Sequence, residues 1–314
     1  MVLKEELSTV KRAKSKSQKN RAFEINESKL GYILVAPALL CIVVIALYPV
    51  LQTFWLSLHS MQLQFANMTK FIGLSNYSAL LKDTRFWAAT KNTFIFTVIS
   101  VFLELILGLI MAMLMNKEFK GRGIIRAAVL IPWAIPTIVS ALMWKFIYND
   151  QLGVLNDILM KLGLIHSYKS WLGTPSSAMG AAIFADVWKT APFMALLLLA
   201  GLQNIPKELY EAGKVDGASA IRQFFSITLP LLRPTIMVAL IFRTLDAFRV
   251  FDLIYVMTGG GPGNSTETLS IYAYKTMFRN LNFGMGSAMA VIIFIFVFLF
   301  AIFYIKLLDK ETLS

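Results

Sequence analysis

One cysteine, Cys41, and two histidines, His59 and His166, are all that the 314 residues contain of those types. A lone cysteine excludes an internal disulfide framework and a thiolate metal site. Two histidines in separate connecting segments exclude a His-based metal centre or catalytic cluster. Charge is also scarce: 15% of the chain is Asp, Glu, Lys or Arg, against 57% hydrophobic. That balance excludes an ordinary soluble domain and points to a polytopic membrane protein. The glycine run Gly259, Gly260, Gly261, Pro262, Gly263 lacks the lysine and the strand-to-helix context of a phosphate cradle, and the sequon pattern at Asn264, Ser265 and Thr266 carries no expected role. The net charge of +12 is concentrated in part in a Ser-rich head holding Lys11, Arg12, Lys14, Lys16, Lys19 and Arg21. No aromatic residue interleaves those charges, so nucleic acid is not the expected partner. A flexible segment against anionic lipid headgroups explains the head.

What the chain has in abundance is long apolar runs. Six reach the length needed to cross about 30 Å of hydrocarbon: residues 30–58, 93–115, 127–148, 179–202, 234–257 and 284–308. The first carries no Asp, Glu, Lys, Arg or His and exceeds a signal peptide's apolar region, so it is expected to be retained. With the N-terminus inside, the cytoplasmic segments hold 17 basic residues and the outer loops eight. That bias places both termini in the cytoplasm. The expected organisation is a basic cytoplasmic head (1–29), a six-span domain (30–308) with a cytoplasmic loop at about 203–230, and a short cytoplasmic tail (309–314).

Charges inside spans are costly and tend to face a cavity or a partner. The fourth span places Asp186, Lys189, Thr190 and Phe193 at i, i+3, i+4 and i+7, on one helical face. The fifth carries Arg243, Asp246, Arg249 and Asp252 at successive i+3 steps with alternating sign, so these charges can neutralise one another. Glu104, alone in the second span, is expected to pair with a neighbouring helix or subunit. Pro132 and Pro136 in the third span and Pro192 in the fourth break helical hydrogen bonds and are either bending points or static kinks.

The loop at 203–230 is polar and reads as two short helices. Pro206 and Glu208 suit a helix start, and Asp216 with Gly217 supplies a turn. Ser219 can cap a second helix whose Ile221, Phe224 and Phe225 share one face. Its spacing is Glu211, Ala212, three residues, Gly217, nine residues, Ile227, one residue, Leu229, Pro230. This closely resembles the EAA loop of the membrane subunits of binding-protein-dependent ABC importers. Gly213 departs from it, standing where a second Ala is usual; Gly loosens a helix by about 1 kcal/mol relative to Ala.

The stretch RTLDAFRVFDLIYVMTGGGPGNSTETL at 243–269 is similar to the fifth span and outer loop of carbohydrate importers of the maltose, trehalose and glycerol-3-phosphate group, in the first of their two permease types. The resemblance implies an all-α membrane protein of six transmembrane helices in the type I, MetI-like permease fold. It implies a non-enzymatic transport subunit, with ATP and Mg bound by partner ATPases and no cofactor in this chain. The implied partners are a second permease, two ATPase subunits and a periplasmic or lipid-anchored sugar-binding protein, and the implied site is a prokaryotic cytoplasmic membrane.

The resemblance further implies that Glu211, Ala212, Gly217, Ile227, Leu229 and Pro230 couple to the ATPase. Asp186, Lys189, Thr190, Phe193, Asp246 and Arg249 fall on the implied sugar pathway. Two of these, Asp246 and Arg249, stand where the maltose type has Asn, and the large outer insertion of that permease is missing. The rival reading is an ion-coupled secondary transporter of a polar solute, which would show internal repeats and discontinuous helices around a midplane ion site. A membrane-embedded enzyme would need a convergent nucleophile and base, and no such set is visible.

Overall fold

The computed structural model describes residues 27–64 and 69–312, so residues 1–26 of the basic head lie outside the described residues, while its last three, Glu27 to Lys29, already belong to the first helix. The chain divides into two compact units, 1–55 and 56–314. The described part of the first is helical: α1 (Glu27–Cys41) continues through a π-helical stretch, Ile42–Leu47, into α2 (Tyr48–Ser57). Within it, the Thr53 hydroxyl donates to the Pro49 carbonyl at 2.8 Å. Gly31–Ser57 forms one uninterrupted apolar span of 27 residues.

In the second unit a two-stranded antiparallel pair, β1 (His59–Ser60) and β2 (Lys70–Phe71), precedes α3 (Ser75–Lys82) and the long α4 (Thr84–Asn116). There follow α5 (Arg122–Ala134), α6 (Thr137–Ile147), α7 (Val154–Lys161), α8 (Pro175–Gln203), α9 (Lys207–Val215), α10 (Ala220–Gln223), α11 (Leu229–Phe248), α12 (Asp252–Met257), α13 (Leu269–Tyr274) and α14 (Phe283–Thr312). Five of these helices are long and apolar enough to cross a membrane, and the bent pair α5 and α6 lies where the expected third span falls and brings the number to six if the two count as one span.

Most spans differ in their bounds from the hydropathy reading. The second and fourth spans begin earlier, at Thr84 and Pro175, because amphipathic turns extend each helix beyond its apolar run. The last helix runs through the expected tail to Thr312. The third span is not one helix: α5 and α6 meet at 89°. Ile135 is extended (φ −70°, ψ 131°), as a residue before proline must be, and Pro136 begins the next helix without an N–H to give.

The fifth span also departs from 234–257. It begins at Ala220, inside the polar loop, and passes through a π-helical stretch, Phe224–Thr228, ahead of Pro230 and Pro234. The wider turn accommodates ring nitrogens that cannot join the ladder. The helix then ends at Phe248, and Arg249 to Phe251 are non-helical before α12.

α4 and α8 form the central pair. Their contact is built on small residues, as lipid-embedded packing requires: a Cβ at Gly108 would stand 2.6 Å from Met194 Cγ, and Ala112 and Ala195 are fully buried beside it. One core cluster gathers Phe96, Ala181, Ala185, Leu253 and Ile271; a second gathers Met194, Leu198, Leu202, Leu232 and Ile236. A third joins Phe248 to Phe94, Phe296 and Phe300 with ring centroids 5.2–6.1 Å apart.

The segment after α12 is not mere connecting chain. Thr266, Glu267 and Thr268 are buried, and Glu267 receives Arg85 in a two-point pair at 2.7 and 2.9 Å and Lys275 at 2.7 Å. Tyr272 adds a hydrogen bond to Asp83. Burial alone raises the Glu267 pKa, but hydrogen bonds from Arg85 and Lys275 outweigh it and hold the carboxyl below the ordinary range. Gly260 (φ 90°) lets this segment turn in a conformation closed to most L residues.

Candidate functional site

Both helix breaks open onto the same place. A cavity of about 610 Å³ is lined by Trp133 and Thr137 from the α5–α6 break and by Arg249, Val250 and Phe251 from the α11–α12 break. Irregular backbone at membrane depth is tolerated only where it is buried in protein or lines a wet cavity. The freed carbonyls at the two breaks find basic side chains. Lys189 Nζ reaches the Trp133 carbonyl at 3.5 Å. At the other break the Arg249 N–H tightens onto the Asp246 carbonyl, and the Leu245 carbonyl it would have served takes Arg249 Nε at 3.0 Å.

All six residues expected on the pathway, Asp186, Lys189, Thr190, Phe193, Asp246 and Arg249, line this cavity. They divide into wall and face. Asp186, Lys189 and Thr190 are buried, whereas Asp246 and Arg249 are exposed to the opening. Phe193 stacks on Trp133 with centroids 5.4 Å apart and ring planes 18° apart, making a flat aromatic platform.

Behind the wall lies the centre that sequence reasoning described only in pieces. Arg243, 3% exposed, gives Nε to Glu104 Oε2 at 2.5 Å, Nη2 to Glu104 Oε1 at 2.7 Å and to Asp186 Oδ2 at 3.1 Å, and Nη1 to Asp246 Oδ2 at 2.7 Å. Thr190 Oγ1 lies 2.6 Å from Glu104 Oε1 and from the Asp186 carbonyl. Glu104 does pair with a neighbouring helix, as its isolation implied. The alternating stripe on the fifth span resolves differently from a uniform ladder: Asp246 turns back to Arg243, while Arg249, past the helix end, faces the cavity. Trp133 and Phe251 carry no charge or helical stripe in the sequence that marks them as cavity residues. The nearby Pro132 and Pro136 were the one signal for Trp133.

Chemically, the cavity offers an acceptor in Asp246, donors in Arg249 and Lys189, and an aromatic face. That set suits a hydroxyl-rich molecule with apolar C–H surfaces.

The polar elbow forms at the opposite end of α8. α9 follows Pro206, Gly217 makes the turn with φ 73°, and Ser219 Oγ accepts the Arg222 N–H at 3.3 Å to cap α10. Glu211, Ala212, Gly217 and Pro230 are exposed, while Ile227 and Leu229 pack inward on the cluster around Leu198 and Leu202. Tyr210 and Thr228 hydroxyls lie 3.0 Å apart and tie the two helices. A Cβ at Gly213 would stand 3.3 Å from Ile227 Cδ1, the end of a flexible side chain, so an Ala there would need that chain to shift by a few tenths of an ångström. Lys207 pairs with Glu118 of the α4–α5 turn at 2.5 Å, and Arg126 Nη2 caps the α4 end through the Met115 carbonyl at 2.7 Å.

A multi-pass helical subunit with a polar cavity at its helix breaks and an exposed elbow between spans defines a permease-type inner-membrane component. The chain belongs to the family of binding-protein-dependent transport system inner membrane components, whose model matches residues 104–313. It is 54% identical over 248 residues to the trehalose/maltose transport system permease protein MalF of Thermococcus litoralis, covering 79% of this chain and 83% of that one. It is 44% identical over 282 residues to the trehalose transport system permease protein SugA of Mycobacterium tuberculosis, covering 90% and 89%. It is 44% identical over 255 residues to the sulfoquinovosyl glycerol transport system permease protein SmoG of Agrobacterium fabrum, covering 81% and 82%. Among solved structures, a bacterial ABC transporter involved in alginate import shares the fold, with a TM-score of 0.79 at 22% identity over 91% of this chain and 97% of that one. Discontinuous helices are present here as they would be in an ion-coupled transporter, and family membership separates the two readings.

Proposed function

We propose that this chain is one of two permease subunits of an ATP-driven carbohydrate importer and forms half of its sugar pathway. The observation that carries the reading is the convergence of Asp246, Arg249, Lys189 and the Trp133–Phe193 platform on one cavity at the two helix breaks. The relatives named for trehalose, maltose and sulfoquinovosyl glycerol support a carbohydrate over other polar solutes. The basic bias of the segments on the elbow side supports a cytoplasmic elbow and cytoplasmic termini.

In this reading a second permease completes the pathway, two ATPase subunits hold ATP and Mg, and an external binding protein, periplasmic or lipid-anchored, delivers sugar. This chain holds no cofactor and performs no covalent chemistry. Glu211, Ala212 and Gly217 present the elbow to an ATPase subunit. Ile227, Leu229 and Pro230 join that elbow to α11, so its displacement is passed directly to the break at Arg249. ATP binding moves the elbow and opens the cavity outward; hydrolysis reverses it.

The test is ATP hydrolysis by the reconstituted complex with its binding protein and a panel of neutral and acidic sugars. Stimulation by one or more sugars is expected. Stimulation only by amino acids or ions would overturn the reading.

A further inference from the structure

The helix break at Arg249 does more than open the cavity: it turns Phe251 into it, and Phe251 is the first ring of an aromatic series that leaves it. Phe251 stacks on Tyr255 with centroids 5.3 Å apart and planes 15° apart. Tyr274 of α13 lies 5.1 Å from Phe251 and 5.2 Å from Tyr255. Phe278 follows at 5.2 Å from Tyr274, and Phe283, at the start of α14, lies 5.8 Å from Phe278. The pairs Phe251 with Tyr255 and Tyr274 with Phe278 are each four residues apart, which brings both rings of a pair to one side of a helical turn.

Two ordinary explanations fit poorly. An aromatic core cluster is shut away, as Phe248 is at 0% exposure; Phe251 does pack on the core, but Tyr255 is 36% and Phe278 57% exposed. An interfacial aromatic belt faces lipid at headgroup depth, whereas this series begins in a cavity that also exposes Arg249, Asp246 and Asp252. The Tyr255 and Tyr274 hydroxyls, 3.5 Å apart, add polar edges to the exposed rings. The platform of Trp133 and Phe193 repeats the same chemistry inside the cavity.

We propose that Phe251, Tyr255, Tyr274 and Phe278 form a handover track on which pyranose rings pass from the binding protein into the cavity. The inference rests on the carbohydrate reading above. The outward ring surfaces of the series take the apolar C–H side of a sugar ring, while the tyrosine hydroxyls and Arg249 exchange hydrogen bonds with its hydroxyls. Neighbouring rings are close enough that a sugar loses one contact as it gains the next, so no single position holds it tightly.

The test uses the complete complex in proteoliposomes, with maltose and trehalose as probes loaded on the binding protein of the same system. Uptake is measured against the concentration of loaded binding protein for Tyr255→Ala, Phe278→Ala, Tyr255→Phe and Phe278→Trp at equal membrane abundance. Loss of one aromatic contact is expected to lower kcat/KM about three- to tenfold, and the aromatic replacements to restore most of it. Sedimentation of the loaded binding protein with the vesicles is expected to match wild type. Alanine variants with wild-type kcat/KM, or aromatic replacements as poor as alanine, would overturn the track while leaving the importer reading intact. Loss of binding-protein affinity would make this face a protein docking surface and also overturn it. A wild-type complex that takes up neither probe nor any other carbohydrate would overturn both readings.

Discussion

Arg243 and Glu104 stand 139 positions apart and meet through two hydrogen bonds, Nε to Oε2 at 2.5 Å and Nη2 to Oε1 at 2.7 Å, joining α11 to α4 behind the cavity wall. Both side chains are nearly inaccessible, and the same guanidinium also serves Asp186 and Asp246. One fixed cation therefore holds a carboxylate from each of two other helices and one from its own. A buried pair of this kind contributes little net stability over an apolar equivalent, but removal of one partner leaves an uncompensated charge.

Arg243→Met is accordingly expected to destabilise the subunit by about 3–5 kcal/mol, since Glu104 and Asp186 lose their shared partner. Glu104→Leu introduced alongside it is expected to recover part of that loss. Thermal unfolding of the purified complex in detergent measures both. Equal losses in the single and double variants would contradict the coupling.

The elbow gives two separable effects. Gly217 at φ 73° has no neighbour within 4 Å of an added Cβ, so Gly217→Ala carries only backbone strain of about 1–2 kcal/mol. Glu211→Lys, on the exposed side of α9, changes the charge offered to a partner and leaves the fold alone. It is expected to abolish uptake while the external binding protein still binds sugar. Uptake assays and binding-protein titrations on the same preparation check this.

The pH response of the outer network follows from Glu267, whose pKa is held below its ordinary value. A depressed carboxyl contributes stability that is complete above the unfolded-state pKa, about 4.3 for Glu, and is lost as pH falls through the lower folded-state value. The stability difference between wild type and Glu267→Gln is therefore expected to stay flat from pH 7 to about pH 5 and to shrink below about pH 4. Unfolding midpoints across that range measure it.

Topology is tested by thiol labelling after Cys41 is replaced. A cysteine at exposed Lys161 of α7 is expected to react with an impermeant reagent added outside intact cells, and one at exposed Ser219 in the elbow to be protected. The reverse pattern would turn the chain over and remove the elbow from the ATPase side.

The elbow was legible because its information is local. Pro206, Asp216 with Gly217, and Ser219 each act within a few residues, so motif and structure agree. The stripe from Asp186 to Phe193 was legible for the same reason, since helical spacing alone puts it on one face. The two breaks were not. Hydropathy is continuous through Ile135 and Pro136, and two prolines four apart signal a bend without its 89° magnitude. Around Arg249 to Phe251 there is neither Gly nor Pro. At that end Arg249 Nε takes the Leu245 carbonyl and Phe251 packs on Tyr255 and Tyr274, contacts that no local pattern announces. The Glu104–Arg243 pair shows the same limit: an isolated charge in a span demands a partner, but only the packed bundle identifies it.

The central claim is that the cavity at the two helix breaks reads the sugar. Its most direct test is uptake of a panel of labelled sugars by proteoliposomes carrying Asp246→Asn or Arg249→Ala, with ATPase association and membrane abundance measured in parallel. Hydrogen-bonding sites discriminate because a wrong ligand covers polar groups such as Asp246 and Arg249 without pairing them. Each variant is therefore expected to change the order of preference among sugars by tenfold or more for at least one of them, about 1.4 kcal/mol, while the ATPases remain bound. Variants that assemble and transport the whole panel in the wild-type order would contradict it and leave Asp246 as a partner of Arg243 alone.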